Sequence, residues 1–255
     1  KGERVMALLG SGGYAEYVLV NEALVIPVPA NLALSEAAAI PEVWLTAYQL
    51  LHLLANIQSG DNVLVHAAGS GVGTAAIQLI KLAGARALAT AGSREKLDVA
   101  ENMGAEATAN YKNEDFSEMV LKETNGEGVS IVLDCIGSSF IDKNLASIAT
   151  DGKWILYGLL GGANVEGRFL GALLRKRVSL ITTTLRSRSL EYKKNLVATF
   201  SEHVLPKFET ETLKPVVDKI FKMADIQQAH LMMESNKNIG KIVVQARKGN
   251  VKEEL

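Results

Sequence analysis

Cysteine is almost missing from this chain: of its 255 residues only Cys135 carries a thiol. An internal disulfide is thereby excluded, and a single thiol suits a reducing compartment, so the expected location is the cytoplasm. Metal-ligand spacing is missing as well. The four histidines, His52, His66, His203 and His230, form no H-x-x-x-H pair, and each reads as a structural or core residue rather than a ligand. No apolar run approaches the length that spans a bilayer, so no membrane is expected as a partner. An excess of one charge is lacking too. The 27 Lys and Arg face 28 Asp and Glu, which removes the general electrostatic reason for binding nucleic acid or an anionic surface. Internal repeats and low-complexity segments do not occur. The chain does not open on methionine and has no charged-then-apolar leader, so its first residue is read as a cut.

What is present is ample apolar material, 48% of the residues, enough for one large or two ordinary domains. Residues 4–9 and 14–20 read as two short strands joined by Gly10-Ser11-Gly12-Gly13, and 25–29 as an extended stretch. Ser35 opens a helical pattern with Glu36 in its first turn, and Pro41 interrupts it before a helix over 43–54. From there strands alternate with amphipathic helices. The strands fall at 63–67, 86–91, 106–109, 129–134, 153–158 and 178–185, the helices at 72–83, 94–103, 114–124, 139–149 and 168–174. Six strands with helical crossovers predict an α/β fold, a doubly wound parallel sheet in the order 3-2-1-4-5-6. Beyond Arg186, helices are expected at 190–205, 213–222 and 226–234, then a strand at 241–245 that rejoins the N-terminal strands in a second domain. The tail, 248–255, is polar and expected to fray.

The first strand of the series runs into a loop of small residues. Val63-Leu64-Val65-His66-Ala67-Ala68-Gly69-Ser70-Gly71-Val72-Gly73-Thr74-Ala75-Ala76 reads as strand, tight turn and helix, the setting in which a backbone can approach a pyrophosphate at a helix N-terminus. The loop departs from G-x-G-x-x-G, with Ala68 and Ser70 in the first two glycine positions. Ser70 has two readings, a donor toward phosphate or nicotinamide and a plain helix N-cap. About twenty residues on, where an Asp or Glu would take the ribose 2′-hydroxyl of NAD, the chain has Thr90-Ala91-Gly92-Ser93-Arg94-Glu95-Lys96. A hydroxyl and two cations stand where that acid is missing, which reads as an NADP site.

These residues resemble a known family. Ala67-Ala68-Gly69-Ser70-Gly71-Val72-Gly73, followed by Ala75-Ala76-Ile77-Gln78-Leu79, is similar to the quinone-reductase branch of the medium-chain dehydrogenase/reductases. Gly13-Tyr14-Ala15-Glu16-Tyr17-Val18, Ala37-Ala38-Ala39-Ile40-Pro41 and Leu45-Thr46-Ala47-Tyr48 extend the resemblance, as do Asp134-Cys135-Ile136-Gly137, Tyr157-Gly158-Leu159 and Asn238-Ile239-Gly240-Lys241-Ile242-Val243. The resemblance implies a Rossmann cofactor domain over 41–186, with 1–40 and 187–255 as the remnant of a chaperonin-10-like, β-rich catalytic domain. It implies a cofactor bound at Ser70, Gly71, Val72 and Gly73, with Ser93, Lys96 and Tyr111 as its 2′-phosphate pocket. Arg94 is a weaker candidate there, because its direction cannot be read from sequence. Thr46, Gly137, Gly158 and Leu159 would surround the nicotinamide and its ribose, with Cys135 beside them as a small buried residue rather than a nucleophile. Gly137 and Gly158 also read as strand-to-loop punctuation. Asn238 and Lys241 would clamp the cofactor, and Lys241 reads equally well as a strand-edge lysine.

The implied activity is NADPH-dependent reduction of quinones. The near alternative is reduction of an activated carbon–carbon double bond, as in enoyl reductases. Zinc-dependent relatives carry a cysteine-rich lobe where this chain has only Gly10-Ser11-Gly12-Gly13, so zinc independence is expected. The resemblance starts partway into the family's N-terminal domain, so no catalytic group is assigned and residues 1–255 alone are expected to turn over little quinone. A rival from another class is a nucleotide- or RNA-binding protein without turnover, the RNA reading suggested by Arg168, Arg175, Lys176, Arg177, Arg186 and Arg188, whose other reading is a solvated helix end plus cofactor contacts. The uncharged run 178–185, last in the strand series, would lie at a sheet edge and is expected to pair with a second copy in a homodimer.

Overall fold

In the computed structural model the described residues are 1–246; the polar tail 248–255, expected to fray, lies outside them. The first elements are β1 (Val5–Ala7), β2 (Val25–Pro27), α1 (Leu34–Ala37) and α2 (Pro41–Tyr48). There follow β3 (Asn62–Val65), α3 (Gly71–Leu82), β4 (Arg86–Ala91), α4 (Arg94–Met103), β5 (Ala105–Asn110), α5 (Phe116–Glu123) and β6 (Val129–Asp134). The series continues with α6 (Ile141–Ser147), β7 (Ile148–Leu156), α7 (Phe169–Lys176) and β8 (Ser179–Thr182). The last elements are α8 (Leu190–His203), α9 (Pro206–Glu209), β9 (Val217–Lys222), α10 (Ile226–Glu234) and β10 (Lys241–Gln245). By contact the chain divides into two compact units, Ala47–Thr184 and a second formed by 1–46 with the residues from Leu185 onward.

The 47–184 unit is built on one six-stranded parallel sheet in the order β5-β4-β3-β6-β7-β8. Numbered along the chain, this is the expected 3-2-1-4-5-6. Parallel neighbours need crossovers, and the helices supply them on both faces. The central strands therefore bury both faces, with Val63, Leu64, Val65, Val132 and Leu133 fully buried and the polar Thr90 and Asp134 buried among them. Leu64, Leu88, Phe116, Val120, Val132 and Trp154 belong to one continuous core. Local signals set the helix ends. Ser70, Ser93 and Asp115 cap α3, α4 and α5 through backbone N–H groups, and Gly104 ends α4 at φ 115°. The chain reverses its direction of travel across the sheet between β3 and β6, the switch point at which open sheets bind ligands.

In the second unit β1 pairs antiparallel with β2, matching Met6 with Ile26, and β9 pairs parallel with β10. Ile26, Ile40, Leu196, Phe200 and Phe208 are fully buried here, and Trp44 meets the Phe208 ring edge-on at 4.7 Å. Three expectations are corrected. Residues 14–20 form no strand: Tyr17 and Leu19 are 77% and 102% exposed, and β1 takes its partner from 25–27 instead, where Ile26 can be buried. The expected helix 213–222 is the strand β9. Its apolar residues, Leu213, Val216, Val217, Ile220 and Phe221, fall at helical spacing. Pro215 and the β-branched side chains disfavour the helix, and β10 offers a parallel partner across α10. Finally, β10 lies in the same unit as β1 but pairs with β9 and not with the N-terminal strands.

Candidate functional site

The loop after β3 is shaped by backbone, not side chains. Ala67 adopts φ 52°, a left-handed conformation that disfavours a β-carbon, and Ser70 N donates to its carbonyl at 2.8 Å. The turn brings α3 in tightly: a methyl on Gly73 would lie 2.4 Å from the Ala67 carbonyl oxygen. Ser70 Oγ accepts from Gly73 N at 3.0 Å, so the cap reading of Ser70 is realised. Gly71 and Val72 then sit in the first turn of α3, whose N–H groups have no intrahelical acceptor and carry the positive end of the helix dipole.

At the end of β4 the structure gathers three of the residues singled out from sequence. Ser93 caps α4 with its Oγ 3.4 Å from Lys96 N. The Lys96 stem lies over the loop, since a methyl on Gly69 would meet its Cγ at 2.8 Å. Tyr111, whose N–H donates to Ala91 O, places its hydroxyl 2.6 Å from the position of a methyl on Gly92. Arg94 is not part of this group: it runs along α4 to Asp98 and Glu101 at 2.6 and 2.7 Å.

A second group forms at the ends of β6 and β7. Gly137 has φ 82°, and a methyl there would meet Leu159 Cδ2 at 2.9 Å; one on Gly158 would meet the Cys135 carbonyl oxygen at the same distance. Leu160 N and Gly161 N donate to Cys135 O and Ile136 O, so the two loops are tied by backbone. Cys135 is buried, and burial pushes its thiol up to about 11, which leaves it protonated and unreactive near neutrality. Asp134 holds the turn from below, accepting from Ile136 N at 2.7 Å and Gly137 N at 3.0 Å. Sequence reasoning gave Asp134 no role. Its signal was legible: an aspartate two and three residues before those amides is the pattern of a side chain capping its own loop.

Thr46, Asn238 and Lys241 belong to the other unit. Thr46 is buried, Asn238 donates to Gly240 O at 3.3 Å, and Lys241 stands 3.5 Å from the carboxylate of Glu42. Glu42 also lines a cleft of about 300 Å³ with Leu8, Leu24, Leu185, Arg186 and Lys193.

The basic cluster is divided. Lys176 donates to the carbonyls of Leu145 and Ile148 at 2.6 Å, and Arg177 pairs with Asp151 at 2.6 Å. Arg186 and Arg188 fall in the other unit, where Arg188 lies over the Tyr192 ring. Among the described residues no group of three or more His, Cys, Asp or Glu could hold a metal ion, and no helix is long and apolar enough to cross a membrane.

Residues 71–202 match the family described as zinc-binding dehydrogenase. The quinone oxidoreductase of Homo sapiens is 30% identical over 231 residues, 90% of this chain and 68% of that protein. The squalestatin tetraketide synthase of Phoma sp. (strain C2932) is 33% identical over 256 residues, and this chain spans a tenth of its length. Among solved structures, a mycobacterial protein complexed with NADPH superposes with a TM-score of 0.85 at 28% identity, over 95% of this chain and 74% of that one. The CurK enoyl reductase gives 0.77 at 31%, over 89% and 67%.

Proposed function

Because the chain belongs to the zinc-binding dehydrogenase family, in the quinone-oxidoreductase branch of the medium-chain dehydrogenase/reductases, we propose that it is an NADPH-dependent reductase of quinones that works without zinc. One observation carries the cofactor reading: Ser93, Lys96 and Tyr111 converge around Gly69 and Gly92 at the end of β4, where Ala91 occupies the region of the missing acid. A 2′-phosphate takes charge-assisted donors, and here it would take the Ser93 hydroxyl from the Glu95 carboxylate, to which that hydroxyl is bonded in this structure. The glycine-lined turn and the first turn of α3 leave backbone N–H groups for the pyrophosphate. The tied loops of Cys135–Gly137 and Gly158–Leu159 form the wall for the nicotinamide. When bound, the cofactor supplies a hydride from nicotinamide C4 to the acceptor ring. The chain's own contribution is positioning and exclusion of water.

Zinc independence rests on the donor set. The one cysteine is buried and protonated, and both ring nitrogens of His66 are taken by hydrogen bonds. The lone thiol supports a reducing compartment, the cytoplasm.

The deciding experiment is calorimetric titration with both dinucleotides. NADPH binds more tightly than NADH, and Lys96→Ala weakens NADPH alone by about 1.5–3 kcal/mol, the worth of a hydrogen bond to a charged group. Equal affinities for the two cofactors would refute the reading. The likeness to an enoyl reductase favours one second reading, reduction of an activated double bond. Quinone and enone turnover measured side by side separates the two.

A further inference from the structure

The 47–184 unit holds a line of buried polar side chains that the proposed chemistry does not use directly. His66 is fully buried, with the Phe116 and Phe140 rings each 5.0 Å away. Its Nδ1 lies 2.8 Å from Thr90 Oγ1 and its Nε2 2.7 Å from Asn144 Oδ1. Asn144 Nδ2 donates to Asp134 Oδ2 at 3.2 Å, and Trp154 Nε1 donates to the same oxygen at 3.0 Å. The other oxygen of Asp134 is the one that grips Ile136 N and Gly137 N.

Chemistry orders the donors. A carboxylate only accepts, so Asn144 turns its amide hydrogens to Asp134 and its carbonyl to His66. His66 must then carry its proton on Nε2, and Nδ1 accepts from the Thr90 hydroxyl. All three bonds run one way, from the end of β4, past β3 and α6, to the end of β6. In a site closed to water each such bond is strong and each orphaned group costly.

We propose that this one-way chain positions Asp134, and through it the turn Cys135–Gly137 that walls the nicotinamide, so that Thr90, His66 and Asn144 are positioning residues for the reactive end of the cofactor. The inference rests on the NADPH reading above. Without Asn144 the Oδ2 atom keeps only Trp154, the carboxylate is free to rotate, and its hold on the turn loosens. The phosphate-binding loop has its own backbone hydrogen bonds and is unaffected.

The test compares two ligands on the full chain: NADPH, and 2′-phospho-ADP-ribose, which lacks only the nicotinamide. Asn144→Leu and His66→Leu are expected to weaken NADPH about tenfold, the loss of roughly one buried hydrogen bond, while the fragment stays within about twofold. His66→Gln, which keeps one acceptor and one donor, restores NADPH binding to within about threefold of the parent. Equal loss of both ligands, or loss of neither, overturns the proposal. Should the leucine variants fail to fold, Thr90→Val gives the same comparison with a smaller effect. The imidazole nitrogen shifts of ¹⁵N-histidine-labelled protein supply a measurement independent of any variant: the Nε2–H tautomer is required, and Nδ1–H reverses the chain and overturns it. A parent protein that binds neither NADPH nor NADH would refute the cofactor reading, while the tautomer still tests the direction of the chain.

Discussion

Strands β6 and β9 have six residues each and pair in parallel with their neighbours, yet they bury themselves differently. Five of the six residues of β6, Val129 to Asp134, are buried; in β9 only Phe221 is, and Ile220 is 49% exposed. The first strand lies inside a sheet covered by helices on both faces, so every side chain meets protein. The second lies in a two-stranded sheet, which has little interior to offer. The difference teaches where each unit's stability resides. In 47–184 it is spread through a continuous core around Leu64, Phe116 and Trp154. In the other unit the buried residues come from distant segments, Ile26, Ile40 and Trp44 from one end and Leu196, Phe200 and Phe208 from the other, and the two-stranded sheet of β9 and β10 adds little to them.

The sharpest way to break this comparison is to truncate one side chain in each region. Trp154→Ala is expected to destabilise the 47–184 unit by about 3–5 kcal/mol, because it opens a cavity and also removes a donor from Asp134. Ile220→Ala should cost about 1 kcal/mol, in keeping with its half-exposed side chain. Denaturant melts of the two variants decide the matter, and similar losses would contradict the contrast.

The edge of the large sheet is the next point of attack. β8 is an edge strand as expected, and we propose that it pairs with its counterpart in a homodimer. Thr183 N donates to Leu156 O at 3.0 Å. By the alternation of a strand Ile181 also faces β7, which leaves the N–H groups of Leu180 and Thr182 pointing outward. Thr182→Pro, and not a proline at 181, is therefore the substitution that removes an outward donor while sparing the sheet. Light scattering at micromolar concentration should read a dimer for the parent and a monomer for the variant; a monomeric parent would rule the pairing out.

The smallest expected effect is on pH dependence. Burial holds the pKa of His66 below its ordinary value, against the opposing field of Asp134 and the bond to Asn144. The unfolded chain takes up a proton on this ring below about pH 6.5, while the folded ring stays neutral. The unfolded state then binds more protons, so the stability is complete above that pH. It falls by at most about 1.4 kcal/mol per pH unit below it, until the folded ring itself protonates. His66→Gln should flatten this slope in thermal melts between pH 5 and 7; an unchanged slope would show that other groups set it.

Sequence alone determined the doubly wound sheet and its strand order. Strands β4 and β6 and helix α4 fall at the expected residues, because short, mostly apolar runs bounded by turns and capping residues are local signals that no distant partner has to confirm. It also singled out Ser93, Lys96 and Tyr111, and the loop of Ala67–Gly73. What only the tertiary structure decided depends on partners far along the chain. Helical spacing in 213–222 was overridden by the pairing of β9 with β10, and residues 14–20 lost their strand to β2. Arg94 was turned away by two acids of its own helix. The line from Thr90 through His66 and Asn144 to Asp134 joins residues up to 78 positions apart. No periodicity encodes it, because hydrogen bonds between buried side chains exist only once the strands that carry them lie side by side.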